Sequence, residues 1–409
     1  MAIEDVFNEL TGLAKPMLGN GVVDQEQRLT ITYDSLPVKS EWQLTGTGFV
    51  GDAHLKRSSS FKFANASESL PIETVEKNEQ FKVKTKEMFG SITFTKDFLV
   101  RLKGGQTSFA DYMFKVEDLF RSQKKNQNQG CWIGPRMIRT TVTVGGAIGA
   151  IALTVANVQY LFPGQHVDFY NAAGTVLAAA NVEIQSINST TNVITVSALP
   201  AAVGAASTVF MHEENLGAGT AGKGFVSIPF QADDGTDFPV DFEEISRVTY
   251  SAWRGNRLDD AGAPLTNDIL QRGQNTLYEQ AGNDFMTEDY ASYVHPDSIR
   301  RYLAIILPQK RYVNAQKYDS GMEKTGMLEW NGKPIYVDPD CPKRNWYFLN
   351  RAHSGKVELN PLSVETEFNG SAMKWKAGFM QGITVTYFSG NLGNDKPNST
   401  VAILNLAAV

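Results

Sequence analysis

A stretch of the chain that almost lacks charge divides the sequence into parts. Between residues 141 and 210, Asp168 and Glu183 are the only Asp, Glu, Lys or Arg, whereas charged residues make up 20% of the 409-residue chain. The turn signals FPGQ, NAAG and NSTTN separate the runs HVDFY, TVLAAA, VEIQSI and VITVSA. Short strands at this spacing are typical of a small antiparallel barrel or sandwich. We therefore predict an inserted all-β domain at 141–212, between linker-like flanks.

Residues 42–102 predict a long β-ribbon. In FKVKTKEMF, Phe81 and Val83 alternate with Lys82 and Lys84, and this period of two places apolar and basic side chains on opposite faces of a strand. SSSFKFANAS is the predicted partner strand, and ASESLPIETVEKNEQ is the tip. Because a two-stranded ribbon is marginally stable by itself, we expect it to rest on another subunit. The candidate inter-subunit contact residues are Phe61, Phe63, Phe81, Val83, Lys56, Arg57 and Trp330.

The next segment predicts a long amphipathic helix. In GGQTSFADYMFKVEDLFRSQKKNQNQG, apolar residues recur at steps of three and four, while charged residues occupy the other face. A capping-box-like start at Ser108 and a stop at Gly130 delimit this helix. We interpret the apolar stripe as an ordinary core-packing face. Lys124 and Lys125 follow the stripe as a basic pair.

The C-terminal half alternates helix and strand patterns. LTNDILQRGQNTLYEQAG predicts a helix, and YASYVHPDSIRRYLAIIL predicts a strand followed by a helix that begins at Pro296. Asn331-Gly332 is a strong hairpin signal between LEW and PIYVD. The loop PDCP follows PIYVD. Asp338, at the end of PIYVD, and Asp340, in the loop, are interpreted as turn-shaping residues, and Cys341 has no plausible base next to it. We predict an α+β domain here.

Charge and cysteine content restrict the function classes. A formal net charge of -6 argues against a protein whose main task is to grip phosphate backbones, because that task needs a clustered basic excess. Cys131 and Cys341 lie far apart in sequence and are interpreted as reduced structural thiols of a cytosolic protein. MAIEDVFNEL lacks the pattern of a signal peptide, and the uncharged run TTVTVGGAIGAIALTV alternates like soluble strands. We therefore predict neither export nor a membrane span.

No motif for catalysis, cofactor binding or metal binding is complete. GAGTAGKG at 217–224 has the GxxxxGK spacing of a phosphate loop, but Gly224 stands where a Ser or Thr binds magnesium, and we interpret the segment as a linker. The five histidines never occur at ligand spacing. DDGTD at 233–237 is interpreted as a solvated turn and not as a calcium loop. We therefore expect no enzyme activity, no cofactor and no metal.

The order of these parts resembles a known family. An arm, a long β-ribbon, a long amphipathic helix, and an α+β domain that contains YASYVHPDSIRRYLAIIL and NGKPIYVDPDCPKRNWYFLN are similar to the major capsid protein of tailed double-stranded DNA bacteriophages. This is the fold of the Hong Kong 97 phage. The likeness covers residues 1–135 and 213–409 in architecture, and it is specific at motif level between residues 285 and 350.

The resemblance implies an α+β fold of the Hong Kong 97 type that carries an inserted small all-β domain. The implied parts are an N-terminal arm (1–41), an extended β-loop with peripheral-domain strands (42–102), the spine helix and peripheral domain (103–140), the inserted β-barrel or sandwich (141–212), a peripheral-domain return (213–264), the axial domain (265–360) and C-terminal strands that return to the peripheral domain (361–409).

The resemblance also implies a structural role. The chain is expected to assemble with itself through hexamers and pentamers into the icosahedral head that encloses double-stranded DNA. It would reside in the virion capsid after assembly in the host bacterial cytoplasm. Implied partners are a separate scaffolding protein, a portal and a cement or decoration protein, and no membrane. DNA would be held mainly by confinement, with Lys124 and Lys125 as the candidate DNA-facing residues.

Two other interpretations stay open at this point. An encapsulin-like compartment shell protein of the same fold would more naturally lack the insertion at 141–210 and would carry a cargo pocket. A carbohydrate-binding or receptor-binding protein would use the β insertion as its working part and the remainder as a scaffold. Imaging of the purified protein distinguishes hollow particles from small oligomers.

Overall fold

The computed structural model describes residues 29–46, 48–58, 60–61, 63, 76–95, 109–212, 214, 223–238, 241–282, 285–306, 328–365, 374–375 and 381–407. Some predicted features lie outside these residues, namely positions 1–28 of the arm, most of the ribbon tip, the helix start at Ser108, and GAGTAGKG up to position 222.

The chain divides into two compact units. The first contains Leu29 and the described parts of 88–126 and 360–388. The second contains the described parts of 30–87, 127–359 and 389–409.

A three-stranded antiparallel sheet, called here the ribbon sheet, forms the described part of the predicted ribbon. Its strands, in order, are β1 (Gln43–Thr45), β2 (Gly48–Lys56) and β3 (Lys77–Lys84). SSSFKFANAS was predicted to be the partner strand of β3, and this is wrong. The partner is GFVGDAHLK, which is strand β2. Gly51 lies opposite Phe81, and a Cβ added at position 51 would be 2.5 Å from the Phe81 ring. A side chain at position 51 would collide with this ring, so β2 has a glycine there.

Residues 30–41 were predicted as part of an arm but fold within the second unit. They contain a short helix, α1 (Ile31–Ser35), in which Thr32 and Tyr33 are buried. The backbone N–H of Lys39 donates a hydrogen bond of 2.9 Å to the carbonyl of Lys356. These residues therefore belong to the folded core of the second unit, and the predicted arm boundary at residue 41 is wrong.

Helix α2 (Phe109–Ile133) corresponds to the predicted amphipathic helix and continues past its predicted stop. Gly130 lies inside the helix, where an added Cβ would be 3.1 Å from the ring of Phe225. The helix ends before Gly134, which has a positive φ of 92°. A glycine ends a helix when it adopts a positive φ, whereas the small size of Gly130 serves close packing instead.

Residues 140–211 form a closed antiparallel barrel. Its strands are β5 (Thr140–Val144), β6 (Ala152–Val155), β7 (His166–Tyr170), β8 (Leu177–Asn188), β9 (Val193–Val196) and β10 (Thr208–Met211), and their order around the barrel is β10-β5-β6-β9-β8-β7. Val167, Phe169, Ile184, Ile194 and Val209 are fully buried inside it. The sequence left a barrel and a sandwich open, and the closed ring of strand pairs is that of a barrel.

The N-terminal flank of the barrel was predicted to be linker-like, and this is wrong. Met137 and Arg139 are both buried. The Arg139 guanidinium donates a hydrogen bond of 2.7 Å to the side chain of Gln129 and pairs with Glu214 at 3.1 Å. A buried guanidinium is stable only when it is paired, so these contacts attach the start of β5 to helix α2.

A six-stranded mixed sheet organises the C-terminal half. Its strands are β11 (Asn256–Asp259), β12 (Tyr290–Val294), β13 (Leu328–Trp330), β14 (Lys333–Val337), β15 (Trp346–Asn350) and β19 (Val401–Leu404), in the order β11-β19-β15-β12-β14-β13. Every residue of β12 and β15 is buried, as is typical of central strands covered on both faces. Residues 361–409 were predicted to return to peripheral strands. The strand β19 instead lies between β11 and β15 and completes this sheet.

The helices of this half begin and end largely where local signals predict. After the short α3 (Ile228–Gln231), α4 (Asn267–Ala281) is capped by the Thr266 hydroxyl, which accepts a hydrogen bond of 3.3 Å from the backbone of Ile269. Gly282 follows α4 with a φ of 64°. Helix α5 (Pro296–Ile306) begins at the predicted proline.

The first unit contains part of a sheet built from β4 (Lys86–Thr95), β16 (Ser354–Val364), β17 (Lys374–Trp375) and β18 (Gln381–Asn394). β18 pairs with β16, β17 and β4. The strand β4 was predicted to continue the ribbon, but it pairs with β18 instead. Within the first unit the Thr386 hydroxyl donates a hydrogen bond of 2.6 Å to Gln123 of α2, and the rings of Phe89 and Tyr387 lie 5.0 Å apart.

Candidate functional site

Two of the predicted inter-subunit contacts lie in the core of the same chain. Phe81 and Val83 are each 1% exposed. The Phe81 ring lies 5.3 Å from that of Trp42 and 5.7 Å from that of Trp253. The prediction that these two residues face a neighbouring subunit is wrong, because residues of the same chain near 230–253 cover the apolar face of the ribbon sheet. Strand alternation identifies an apolar face but not the chain that covers it.

Two other predicted contact residues remain exposed. Phe61 is 66% exposed and Phe63 is 104% exposed. The Arg57 guanidinium lies 5.7 Å from the centroid of the Phe61 ring, and Lys56 and Arg57 are themselves exposed. Single exposed apolar residues are common, whereas two exposed phenylalanines within three positions next to two cations are typical of a contact surface. These four residues stay candidates for an inter-subunit contact.

Trp330 was also a predicted contact residue, and the structure places it in a core. It is 8% exposed, at the end of β13. Its ring packs edge-on against Tyr302 of α5 at a centroid distance of 6.2 Å. Trp330 therefore stabilises the attachment of α5 to the six-stranded sheet, and its assignment as an inter-subunit contact is wrong.

The predicted basic pair lies on the exposed side of α2. Lys124 is exposed, and Lys125 is partly buried, with its ammonium group 3.4 Å from the carbonyl oxygen of Leu29. Both residues belong to the first unit. The contact of Lys124 and Lys125 with DNA stays a prediction.

A buried carboxylate just before the PDCP loop is a structural centre that sequence reasoning missed. One oxygen of Asp338 accepts hydrogen bonds from the backbone of Thr32 at 3.3 Å, from the side-chain amide of Asn128 at 2.9 Å and from the Trp132 indole at 3.2 Å. The Thr32 hydroxyl donates to the same oxygen. The other oxygen accepts from the backbone of Asp340 at 2.8 Å. Asp338 is thus more than the predicted turn residue, since it joins α1, α2 and the loop after β14.

Asp340 extends this cluster, which lies next to two buried thiols. Its carboxylate accepts a hydrogen bond of 2.6 Å from the side-chain amide of Asn128. Cys131 and Cys341 are fully buried, and burial raises the pKa of both thiols well above the usual range, with the carboxylates of Asp338 and Asp340 adding to the effect. A thiol with a raised pKa is a poor nucleophile, which agrees with the structural role expected of both cysteines.

The inserted barrel is attached to the same loop. The side-chain amide of Gln159 donates to the carbonyls of Pro339 at 2.6 Å and of Cys341 at 2.8 Å. The Tyr160 hydroxyl donates a hydrogen bond of 2.8 Å to the carbonyl of Asp340. The loop at 338–341, called here the junction loop, therefore receives contacts from α1, α2 and the barrel. No sequence motif marks this convergence, because the donors lie at positions 32, 128, 132, 159 and 160.

The DDGTD segment was predicted to be a solvated turn. It is a turn, but the carboxylate of its first residue, Asp233, is not solvated. Asp233 is buried and accepts hydrogen bonds from the backbone of Gly235 at 2.9 Å and of Phe238 at 3.1 Å. It also pairs with the buried guanidinium of Arg247 at 3.5 Å. That guanidinium lies between two rings, 4.8 Å from the centroid of Phe230 and 4.6 Å from that of Phe242. Burial lowers the pKa of Arg247 to about 10, so it stays a cation at neutral pH.

The described part of the chain contains no group of three or more His, Cys, Asp or Glu side chains arranged to hold a metal ion. In the same residues, no helix is both long enough and apolar enough to cross a membrane. The arrangement of the junction loop and of the ribbon sheet is that of buried structural centres. The exposed patch at Phe61 and Phe63 has the features of a contact surface.

Comparison with known proteins shows similarity at the level of fold. No family model matches the chain, and no curated protein matches it in sequence. Among solved structures, a chain of the capsid asymmetric unit of cyanophage A-1(L) aligns with 97% of this chain and 99% of its own length, with a TM-score of 0.57 and 12% identity. A chain of the capsid of the native GTA particle aligns over 100% of both chains, with a TM-score of 0.53 and 8% identity.

A chain of the empty GTA particle capsid also aligns over 100% of both chains, with a TM-score of 0.51 and 8% identity. At such low identity the likeness concerns the fold and not the individual residues. It extends along the whole of each chain, so it includes the order in which helices and strands follow one another. This chain therefore has the α+β fold of the capsid chains of cyanophage A-1(L) and of the GTA particle.

Proposed function

We propose that this chain is the major capsid protein of a tailed bacteriophage and that it assembles with copies of itself into a closed shell. The observation that carries the proposal is the likeness to capsid chains along 97% to 100% of this sequence. A carbohydrate-binding or receptor-binding protein that used only the barrel would not need the remaining parts in capsid order. The role is structural, and catalysis has no part in it.

We assign the individual parts of this chain to the parts of the Hong Kong 97 fold. In this assignment the ribbon sheet is the base of the extended loop, α2 is the spine helix, and the six-stranded sheet with α4 and α5 is the axial domain. The barrel at 140–211 is a domain added to this plan. Copies of the chain would meet as hexamers and pentamers, with a portal and a separate scaffolding protein as partners during assembly in the host cytoplasm.

The surface of the subunit supports self-assembly. Phe61 and Phe63 are apolar, exposed and adjacent to Lys56 and Arg57. An aromatic anchor next to cations is typical of the central residues of protein interfaces. Because the apolar face of the ribbon sheet is already covered by the same chain, these residues beyond β2 are, among the described residues of the ribbon, the ones best suited to contact a second copy.

The proposal is tested by assembly of the purified chain. We expect sedimentation velocity to show a species much larger than a hexamer, and negative-stain images to show hollow particles of uniform diameter. The matched control is the Phe61→Ser/Phe63→Ser variant at the same concentration, which should stay in small oligomers. Small oligomers from the parent chain, both alone and together with the scaffolding protein, would contradict the proposal. Protein cargo instead of DNA in particles from infected cells would favour a compartment shell.

A further inference from the structure

The two-residue turn between Phe242 and Ile245 has an unusual composition. Its first and last residues exchange two backbone hydrogen bonds of 3.0 Å, and the central residues Glu243 and Glu244 have φ values of 52° and 70°. Positive φ at both central positions is typical of a type I′ turn, which favours Asn-Gly. The chain uses that pair in the 331–332 turn, at φ values of 47° and 75°. Two glutamates in the same conformation indicate that a side chain at this turn has a task.

The carboxyl group of Glu243 is buried and only partly satisfied. The residue is 7% exposed, and its Oε1 accepts a hydrogen bond of 2.9 Å from the backbone of Asn394. Its Oε2 is buried and has no hydrogen-bond partner among the residues that the structure describes. Burial raises the pKa of Glu243 well above the usual range. The Asn394 amide and Arg247 oppose this shift, and Asp395 adds to it.

Arg247, the cation whose charge acts on this carboxyl group, is already engaged. Arg247 pairs with Asp233 at 3.5 Å and donates to the carbonyl of Phe230 at 2.6 Å. Asp395 forms a 2.7 Å contact with His353. Among the described residues whose charge acts on it, an ionised Glu243 would therefore find no free cation to pair with. Such a charge is costly to bury, and the group must either hold a proton or reach water.

The same turn holds the ribbon sheet. The backbone N–H of Lys82, in β3, donates a hydrogen bond of 2.9 Å to the carbonyl of Glu243. The Lys84 ammonium lies 2.6 Å from the exposed carboxylate of Glu244. Exposure of the Glu243 carboxyl group to water requires the turn to move, and the turn cannot move away without loss of the backbone hydrogen bond to β3.

We propose that the turn at 242–245 is a proton-dependent latch, which holds β3 while the Glu243 carboxyl group carries a proton and releases β3 when that group ionises. A glutamate in the open state has a pKa of about 4.3. In the closed state, in which the turn holds β3, the pKa of Glu243 is higher. The stabilisation of the closed state is therefore fully present below the open-state pKa and is lost as pH rises above it. The opening equilibrium should therefore increase about tenfold per pH unit until the closed state also ionises. The proposal concerns the subunit and does not depend on shell formation.

The test is amide hydrogen exchange of residues 77–84, measured by mass spectrometry between pH 5 and pH 8 and corrected for the intrinsic exchange rate. We expect the corrected exchange of the parent chain to rise several-fold per pH unit. Glu243→Gln, which keeps the acceptor oxygen and cannot ionise, should show no such rise. The matched control Glu244→Gln changes an exposed glutamate of the same turn and should follow the parent.

Two outcomes would overturn the latch. One is a corrected exchange of the parent that does not depend on pH, and this measurement needs no variant to fold. The other is a folded Glu243→Gln variant with the same pH dependence as the parent, which would assign the titration to another group. Residues 328–337, which contain the Asn331-Gly332 turn, serve as the internal reference, because their corrected exchange should stay constant.

Discussion

The side-chain amide of Asn128, in helix α2, donates a hydrogen bond of 2.9 Å to the buried carboxylate of Asp338, 210 positions later in the chain. The same carboxylate also accepts hydrogen bonds from Thr32 and Trp132. Two segments that are remote in sequence, α1 and α2, therefore share one acceptor in a third. Since this acceptor lies in the junction loop, which also contacts the inserted barrel, the loop is the point where the parts of the second unit are tied together.

Removal of the shared carboxylate should destabilise the second unit. Asp338→Ala leaves the donors of Thr32 and Trp132 buried without an acceptor, and it leaves the Asn128 amide only its hydrogen bond to Asp340. Since each unsatisfied buried group costs about 1 to 3 kcal/mol and water can relieve part of this, we expect the free energy of unfolding to fall by about 3 to 5 kcal/mol. Urea unfolding measures the change. The control Asp289→Ala removes a half-exposed carboxylate and should change stability by less than about 1 kcal/mol.

Loss of the barrel contacts should expose the junction loop. In the Gln159→Ala/Tyr160→Phe variant, the carbonyls of residues 339 to 341 lose their side-chain donors. We expect the thiol of Cys341, which is fully buried, to react several-fold faster with a thiol reagent than in the parent. Peptide mapping separates Cys341 from Cys131. Phe162→Ala, a change at a partly exposed barrel residue, should leave the rate unchanged, and equal rates in all three proteins would contradict the anchoring role.

The two sets of ribbon phenylalanines should give opposite phenotypes. Phe81→Ala removes a fully buried ring and should lower the free energy of unfolding by about 3 to 5 kcal/mol. Phe61→Ser/Phe63→Ser removes exposed rings and should leave subunit stability within about 0.5 kcal/mol of the parent. Only the second variant should fold normally and fail to form particles in sedimentation velocity. Normal particles from this variant would exclude Phe61 and Phe63 as assembly contacts.

The basic pair of α2 should have a small effect on DNA content. With a chain of net charge -6, packaged DNA is expected to be held mainly by confinement and small cations, so Lys124→Gln/Lys125→Gln should leave shells intact and reduce packaged DNA only modestly. The DNA-to-protein absorbance ratio of nuclease-treated particles measures this. Arg300→Gln/Arg301→Gln carries the same charge change at another place and is the control. Empty but otherwise normal shells from the α2 variant alone would show that direct contact matters more.

Some elements follow from signals that lie within a few residues of each other. The Thr266 cap and the Gly282 stop delimit α4, Pro296 begins α5, and Asn331-Gly332 forms the tight turn between β13 and β14. Each of these depends on the local conformational preferences of the backbone, which are the same in any fold. The charge-poor composition of 141–210 likewise predicted a small all-β domain, because its short apolar runs and turn signals are local.

The sequence by itself determined which faces are apolar, where most turns lie, and the order of parts that resembles a capsid protein. Only the tertiary structure decided what covers each face and what satisfies each buried polar group. Alternation around Phe81 is the same whether the covering residues come from this chain or from a neighbour, and the structure supplies them from the same chain. The acceptor role of Asp338 and the buried state of Glu243 depend on donors and neighbours that are tens to hundreds of positions away. Such contacts have no period and no fixed spacing, so only the folded chain brings them together.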